Sequence, residues 1–176
     1  MMNFDELIKQ EGITVEKLRD EHIFMQGERD RSLYFVKAGL LKAYYISESG
    51  KEFVKSFISP TEVIASLTSA RTESGCTFNL ICMEPTTLLK IDFDKVYELS
   101  RHSLEVSNSL NELLLNFSMK KERREFEFLC LSAEERYQLL KERSPELLTR
   151  VTQNDIARYL GVTPVALSRI KNRISQ

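Results

Sequence analysis

The sequence predicts an α+β fold, in which a compact antiparallel barrel or sandwich is followed by helices. Three observations lead to this prediction. Short β-rich runs with turn residues between them occupy about residues 22–91. Apolar residues then recur at heptad spacing after Asp92, and two short capped helices follow towards residue 174. The 176 residues suffice for one sizeable domain, or for a medium domain with a small appendage.

The start of the chain, MMNFDELIKQEG, is acidic and amphipathic, which fits neither a signal peptide nor a membrane anchor. No apolar run approaches the ~20 residues that a membrane span requires. The cysteines Cys76, Cys82 and Cys130 are odd in number and lack metal-type spacing. We therefore expect a reduced, cytoplasmic chain with no metal site and no membrane partner.

The net charge of −1 conceals an uneven distribution. From Leu148 onward, five basic residues stand against one acidic residue, so this end carries +4 and the remainder carries −5. A basic end on an acidic body favours contact with a polyanion. Chance is the alternative explanation, since few charges are involved.

Spacing of the apolar residues predicts one or two short helices between Met1 and about Asp20. The pattern then changes to short β-rich runs with glycines at or beside the breaks. These runs are Leu33–Val36, Leu40–Ile46, Phe53–Ile58, Phe78–Met83 and Thr87–Ile91. Their length and spacing are typical of an antiparallel barrel or sandwich.

A helical signal begins near Asp92, where Asp92 or Asp94 can cap the helix. Its first apolar stripe, the heptad stripe, consists of Leu99, Val106, Leu110, Leu113 and Phe117. A second stripe of Leu104, Leu114 and Leu115 can face the barrel. A lone heptad run usually packs in a core, but two stripes need two partners. We therefore expect the heptad stripe to join two chains. Another helix begins after Ser132, which forms a capping box with Glu135, and it ends at Ser144-Pro145.

Two short helices with a tight corner are predicted between residues 151 and 174. Thr152 can cap the first helix, and Asp155 lies at the capping-box spacing. Gly161 follows the last apolar residue, where the chain needs a left-handed turn. Thr163 can cap the second helix, with Pro164 at its first position. These signals predict a helix-turn-helix.

The second of these helices has one apolar face, formed by Leu167, Ile170 and Ile174 at 100° per residue. The opposite face carries Val165, Ser168, Arg169 and Asn172, with Arg173 at its edge. Hydroxyl, amide and guanidinium groups on an exposed face suit the major groove of DNA. The alternative is an ordinary helical hairpin with a solvated polar face.

The β-rich part, the long helix, the SAEERYQLL helix at 132–140 and the helix-turn-helix together resemble the Crp/Fnr transcription regulators. The resemblance covers nearly the whole chain and is strongest in LGVTP at 160–164 and LSRI at 167–170. It implies a jelly-roll-like antiparallel β-roll, a long dimerisation helix and a winged helix-turn-helix. The implied domains are residues 1–118 and 119–176.

The resemblance also implies a homodimer that binds a two-fold-related DNA site and contacts RNA polymerase directly or indirectly. The residues expected to bind DNA are Thr152, Gln153, Thr163, Pro164, Val165, Ser168, Arg169, Asn172 and Arg173. Typical members have an Arg-Glu pair after the capping threonine, where this chain has Pro164-Val165. Base reading should therefore rest on Arg169, helped by Ser168 and Asn172.

Cyclic-nucleotide sensors of this family hold the phosphate with a Gly-Glu-Leu segment and a later arginine. The corresponding segment here begins Thr61-Glu62, and no arginine directly precedes Cys76-Thr77. A buried phosphate would lack a cation, so cyclic AMP is an improbable effector. Glu62, Cys76 and Thr77 remain the candidate effector-pocket residues, and Arg71 is interpreted as a solvated loop residue.

Other cofactors of the family have little support. The N-terminal cysteine cluster of its iron–sulfur members has no counterpart before Cys76, and His22 and His102 are the only histidines. We expect no cofactor, which leaves effector-free operation or an unrecognised small molecule open.

Three classes of function were compared. A DNA-binding transcription regulator explains the helix-turn-helix, the basic end and the heptad stripe. A ligand-sensing or interaction module with weak or lost DNA binding explains the β-roll alone. An enzyme is disfavoured, because the sequence has no nucleophile motif, no histidine–carboxylate constellation and no phosphate-binding glycine loop.

Overall fold

The computed structural model describes residues 4–174. The helices are α1 (Phe4–Glu11), α2 (Leu67–Arg71), α3 (Phe93–His102), α4 (Leu104–Cys130), α5 (Ala133–Arg143), α6 (Leu147–Arg150), α7 (Gln153–Leu160) and α8 (Pro164–Ile174). The strands are β1 (Ile13–Lys17), β2 (His22–Phe24), β3 (Ser32–Ala38), β4 (Leu41–Ile46), β5 (Glu52–Ile58), β6 (Val63–Ile64), β7 (Asn79–Cys82) and β8 (Thr86–Asp92). The order of strands and helices confirms the predicted α+β fold.

The strands form two four-stranded antiparallel sheets that enclose an apolar interior. The strand orders are β1-β8-β3-β6 and β2-β7-β4-β5. Side chains from both sheets fill the space between them, among them Tyr34, Val36, Leu41, Ala43 and Leu80. Burial of apolar surface on two facing sheets is what holds such a roll together. The five predicted β-rich runs all lie in or overlap these strands.

Of the one or two N-terminal helices that the sequence predicts, the described residues contain one, and the second stretch is a strand. After α1, the chain turns at Gly12 and forms β1, whose residues pair with β8 from Ile13↔Lys90 to Lys17↔Thr86. β-branched residues at Ile13, Thr14 and Val15 favour a strand, and the partner that fixes it lies more than 60 residues away. That partner is not visible in the local sequence.

The single helix predicted after Asp92 is two helices. Asp92 caps α3 through its side chain, which accepts hydrogen bonds from the backbone N–H groups of Asp94 and Lys95. Ser103 has an extended backbone and separates α3 from α4, and its side chain caps α4. The helix α4 continues for 27 residues. The predicted domain boundary between residues 118 and 119 lies inside α4 and remains a prediction.

The structure gives the two apolar stripes other partners than the sequence suggested: of the second stripe only Leu114 packs against the roll's core, whereas Leu104 and Leu115 are exposed. Val106, Leu110 and Leu113 are buried in the core that α4 shares with α1 and the first sheet, and Leu99 and Phe117 pack against it. Most of the heptad stripe is therefore covered by its own chain, which leaves little of it to form the dimer interface that the sequence suggested. The physical reason is that β3 is apolar on both faces, so its outer face offers the helix an apolar partner within the chain.

The second sheet packs its outer face against the C-terminal helices. Leu40 is fully buried in the core of the helix-turn-helix, where Phe57 also packs. The predicted α5 is confirmed, because Ser132 and Glu135 form the capping box and the helix ends before Ser144-Pro145. Residues 4–174 contain no strand after β8, so the described part of the chain includes no wing. None of its helices is long and apolar enough to cross a membrane.

Candidate DNA-binding surface

The first helix of the helix-turn-helix is capped as the sequence predicts. The Thr152 Oγ1 atom accepts a hydrogen bond from the Asp155 N–H at 3.1 Å. The Thr152 hydroxyl donates to Asp155 Oδ2 at 2.7 Å. The Asp155 carboxylate therefore binds the Thr152 side chain and not the Thr152 backbone N–H. Burial alone would raise the pKa of Asp155, but the Thr152 hydrogen bond and the nearby Lys42 outweigh burial and lower it.

The turn between α7 and α8 depends on Gly161, whose φ of 72° lies in the left-handed region. The Val162 N–H donates to the Ala157 carbonyl at 2.9 Å and closes the end of α7. A Cβ atom at Gly161 would also lie 2.8 Å from the Phe128 ring of α4. The left-handed backbone therefore favours glycine here, and a Cβ atom would in addition displace the Phe128 ring.

The recognition helix α8 presents the predicted outer face. Thr163 caps it by accepting from the Ala166 N–H at 3.2 Å, and Leu167 and Ile170 are buried beneath it. The residues of the exposed outer face are Val165, Ser168, Arg169, Asn172 and Arg173. The N-terminus of α7 adjoins this face, because Lys171 Nζ donates to Gln153 Oε1 at 3.0 Å.

The two arginines of this face differ in their partners. Within residues 4–174, no carboxylate lies within 4.0 Å of the Arg169 guanidinium, whereas Arg173 pairs with Glu134 of α5 at 3.2 Å. An exposed guanidinium without an acidic neighbour can form a bidentate pair with guanine. Arg173 must first leave its partner, although an exposed ion pair of this kind is weak.

The candidate effector residues in the roll are not assembled as a phosphate site. Thr61 has a φ of 72°, so the backbone is left-handed at the position where the resemblance places glycine. The Glu62 carboxylate accepts from the Ser59 N–H at 2.8 Å and binds Lys120 of α4. Cys76 is buried in the roll, whereas Thr77 is exposed. These three residues have separate surroundings.

Arg71 is exposed, as expected for a solvated residue, but it does not lie in a loop. Arg71 lies at the end of α2, and its guanidinium carbon is 4.3 Å from the Tyr97 ring centroid. The Arg71 guanidinium therefore forms a cation–π contact with an aromatic ring of α3. Arg71 therefore does not supply the cation that the phosphate-binding motif of the family would need.

Sequence reasoning missed Lys55, the extra residue in a β-bulge of β5 opposite Ala43 and Tyr44. Its Nζ atom lies 4.9 Å from the Phe78 ring centroid, and no ion pair of Lys55 occurs within the described residues. Burial and the positive charge of Lys121 lower the pKa of Lys55. A bulge depends on pairing between strands, so the sequence carried no signal for it. The described residues also include no group of three acidic, histidine or cysteine side chains that could hold a metal ion.

Comparison with known proteins identifies the family. The model of the cyclic nucleotide-binding domain matches residues 14–103. The transcriptional activator Anr of Pseudomonas protegens is 25% identical over 98% of this chain and 73% of its own length. The regulatory protein HlyX of Actinobacillus pleuropneumoniae is 26% identical over 90% of this chain and 70% of its own length.

Solved structures show the same fold. FixK2 from Bradyrhizobium japonicum superposes with a TM-score of 0.79 at 18% identity, covering 93% of this chain and 84% of FixK2. The regulator CLP of Xanthomonas campestris gives a TM-score of 0.76 at 15% identity, covering 97% of this chain and 89% of CLP. The curated relatives are named as regulators and not as enzymes, and the expectation of a cytoplasmic chain agrees with their transcriptional role. The chain belongs to the Crp/Fnr family of transcription regulators, built on a cyclic nucleotide-binding domain.

Proposed function

We propose that this Crp/Fnr regulator acts as a homodimer that binds DNA through α8 and does not require cyclic AMP. The observation that carries the proposal is the outer face of α8. Its arginine, amide and hydroxyl side chains are exposed on a helix that is capped and buried on its other side. Such a helix can enter the major groove without rearrangement of its own fold.

Dimer formation is supported by the outer stripe of α4, which replaces the heptad stripe as the proposed interface. We define the outer stripe as Leu115, Met119, Phe126 and Leu129, which are 55%, 52%, 57% and 78% exposed. Their spacing of four, seven and three residues matches a coiled-coil seam, with Glu122 in the remaining position. A second copy of α4 would bury these side chains and bring two recognition helices about 34 Å apart, one turn of DNA.

DNA recognition is divided between base reading and backbone grip. Arg169 is placed to read guanine, and Val165, which is 62% exposed, offers a methyl contact to thymine. Contacts to the DNA phosphates are expected at the N-termini of α7 and α8, near Thr152 and Thr163, and from Arg173. RNA polymerase is the further partner that we expect for a transcription regulator.

Independence from cyclic AMP is supported by the roll. Thr61 stands in place of glycine, Glu62 is engaged with Ser59 and Lys120, and Arg71 stacks on Tyr97. A cyclic phosphate would therefore lack the placed cation and the free acceptor that the motif supplies. The roll either works without an effector or takes another small molecule.

Selection of bound genomic fragments tests this proposal directly. The purified protein, without added nucleotide, should enrich fragments that share a two-fold-related motif, and a gel shift should confirm each one. Enrichment that appears only after addition of cyclic AMP would contradict nucleotide independence. A folded dimer that binds no fragment would favour the alternative of a ligand-sensing or interaction module.

A further inference from the structure

We propose that the β4–β5 hairpin positions the recognition helix through a chain of ion pairs, which makes Lys42 and Glu52 of the roll positioning residues for DNA binding. The inference rests on the proposed function, because its consequence is a preferred spacing between two DNA half-sites. Lys42 and Glu52 lie outside the helix-turn-helix, in β4 and β5 of the roll. Their contacts with α7 are hidden from sequence reasoning, since Lys42 and Asp155 are 113 positions apart.

The chain of charges alternates in sign across the boundary between roll and helix-turn-helix. Lys42 Nζ lies 2.8 Å from Glu52 Oε1 and 2.9 Å from Asp155 Oδ1. Glu52 Oε2 in turn lies 3.1 Å from Arg158 Nη1. Lys42 and Asp155 are only 9% and 5% exposed, so each charge depends on the other for compensation. We call Lys42, Glu52, Asp155 and Arg158 the junction.

Further contacts join the roll to α7 and to the turn before it. The Phe57 and Tyr159 ring centroids are 5.5 Å apart across the same boundary. On its other side, Arg150 pairs with Glu84 and donates to the Gly39 carbonyl at 3.0 Å. The roll therefore contacts α7 and its preceding turn at several points.

The opposite end of α7 is held by the long helix. Arg124 of α4 donates to the Tyr159 carbonyl, and Arg136 of α5 donates to the Leu160 carbonyl at 2.9 Å. Both guanidiniums cap the carbonyl end of α7, where a positive charge is favourable. Phe128 of α4 lies directly against Gly161. The helix α7 thus contacts the roll through Asp155, Arg158 and Tyr159 and contacts the proposed dimerisation helix at its last turn.

The junction orients α7 relative to the roll more than it stabilises the fold. A buried ion pair gains little net free energy over an apolar pair, but it accepts only one registry. Apolar surfaces alone can slide past one another. Because α8 follows α7 through a tight turn, the junction sets the angle of α8 relative to α4. In a dimer, that angle sets the distance between the two recognition helices.

The test compares half-site spacing preferences of matched variants of the full chain. The selected DNA motif is synthesised with its half-sites moved one or two base pairs closer or further apart. Lys42→Met keeps the apolar stem and removes the charge, and Arg158→Met removes an exposed end of the junction without burying a charge. Each should bind the best-spaced site about 10-fold more weakly and lose most of its preference over the shifted sites.

Two control variants separate positioning from loss of charge or folding. Lys42→Arg keeps the positive charge and should retain the spacing preference. Lys37→Met removes an exposed lysine of β3 and should change neither affinity nor preference. Folded Lys42→Met and Arg158→Met proteins that keep the full spacing preference would overturn the inference.

Hydrogen exchange without DNA keeps the two proposals distinguishable. Lys42→Met should accelerate exchange of the α7 amides relative to Lys37→Met, because the roll no longer holds that helix. Unchanged exchange in α7 would refute the junction, even if the protein binds DNA. A wild-type protein that binds no DNA would refute the proposed function, and accelerated exchange would still support the contact itself.

Discussion

The helix-turn-helix and the Thr61 turn of the roll differ in how well their residues suit their backbone conformations. In the helix-turn-helix, both the backbone and the side chains suit DNA binding, since Gly161 keeps its left-handed turn and Arg169 lies on the outer face. At Thr61 the backbone is left-handed, with a φ of 72°, but the β-branched side chain does not favour that conformation. Backbone conformation and residue type therefore agree in the first region and conflict in the second.

The long helix α4 links these two regions, and disrupting its outer stripe should have the largest effect. Leu115→Lys with Met119→Lys places like charges in the proposed interface, so the chain should become monomeric. Loss of simultaneous contact with two half-sites should reduce DNA affinity by about 10²-fold or more. Sedimentation velocity and fluorescence anisotropy measure both effects.

The heptad stripe provides the contrasting variant. Leu110→Lys buries a charge in the chain's own core and should lower the free energy of unfolding by at least about 3 kcal/mol. The outer-stripe variant should instead keep a native circular dichroism spectrum. If that variant still sediments as a dimer of unchanged affinity, the two chains meet at another surface.

Local signals explain why the helix-turn-helix was predictable to single residues. Caps at Thr152 and Thr163 and the turn at Gly161 each depend on neighbours within a few positions. The α4 stripes were different, because a heptad pattern identifies an apolar face but not its partner. Phe35 and Leu89 of the roll, which cover the heptad stripe, lie far away in the sequence. Distance in sequence likewise concealed β1 and the contact of Lys42 with Asp155 in the junction.

Base reading by Arg169 should produce the next largest effect. Arg169→Ala should cost about 1–3 kcal/mol at the specific site and flatten the preference at one position of each half-site. Arg173→Ala should weaken binding to all sequences alike and lower the salt slope by about one unit. Affinities at two salt concentrations, for specific and unrelated DNA, distinguish the two variants.

Arg101→Ala is the matched control for both, because Arg101 is exposed on α3 and lies outside the helix-turn-helix. It should leave affinity and salt slope unchanged. Full sequence preference in the Arg169→Ala protein would remove this arginine from base reading and transfer that role to Val165, Ser168 and Asn172.

Replacing Thr61 should have a smaller effect than the preceding variants, and it should stabilise the protein. Thr61→Gly relieves a β-branched residue from a left-handed backbone and should stabilise the protein by about 0.5–1 kcal/mol in urea denaturation. Because the phosphate cation is still missing, calorimetry should detect no cyclic AMP binding in either protein. Saturable, micromolar binding to the wild type would show that the roll recognises the nucleotide through other residues.

The smallest expected effect concerns Lys55, whose pKa is lowered by burial and by Lys121. A lysine with a lowered pKa in the folded state binds its proton more tightly when unfolded, so its charge destabilises the fold at neutral pH. That penalty should disappear as the pH rises through the lowered value towards 10.5, the ordinary value. Lys55→Met should therefore stabilise the protein by about 0.5–1 kcal/mol at neutral pH and by less near pH 10.

Lys51→Met is the control, because Lys51 lies at the same 4.9 Å from an aromatic ring but is exposed. Urea denaturation of the three proteins at both pH values measures the difference, and a Lys55→Met gain that does not shrink at high pH would exclude this charge as its cause.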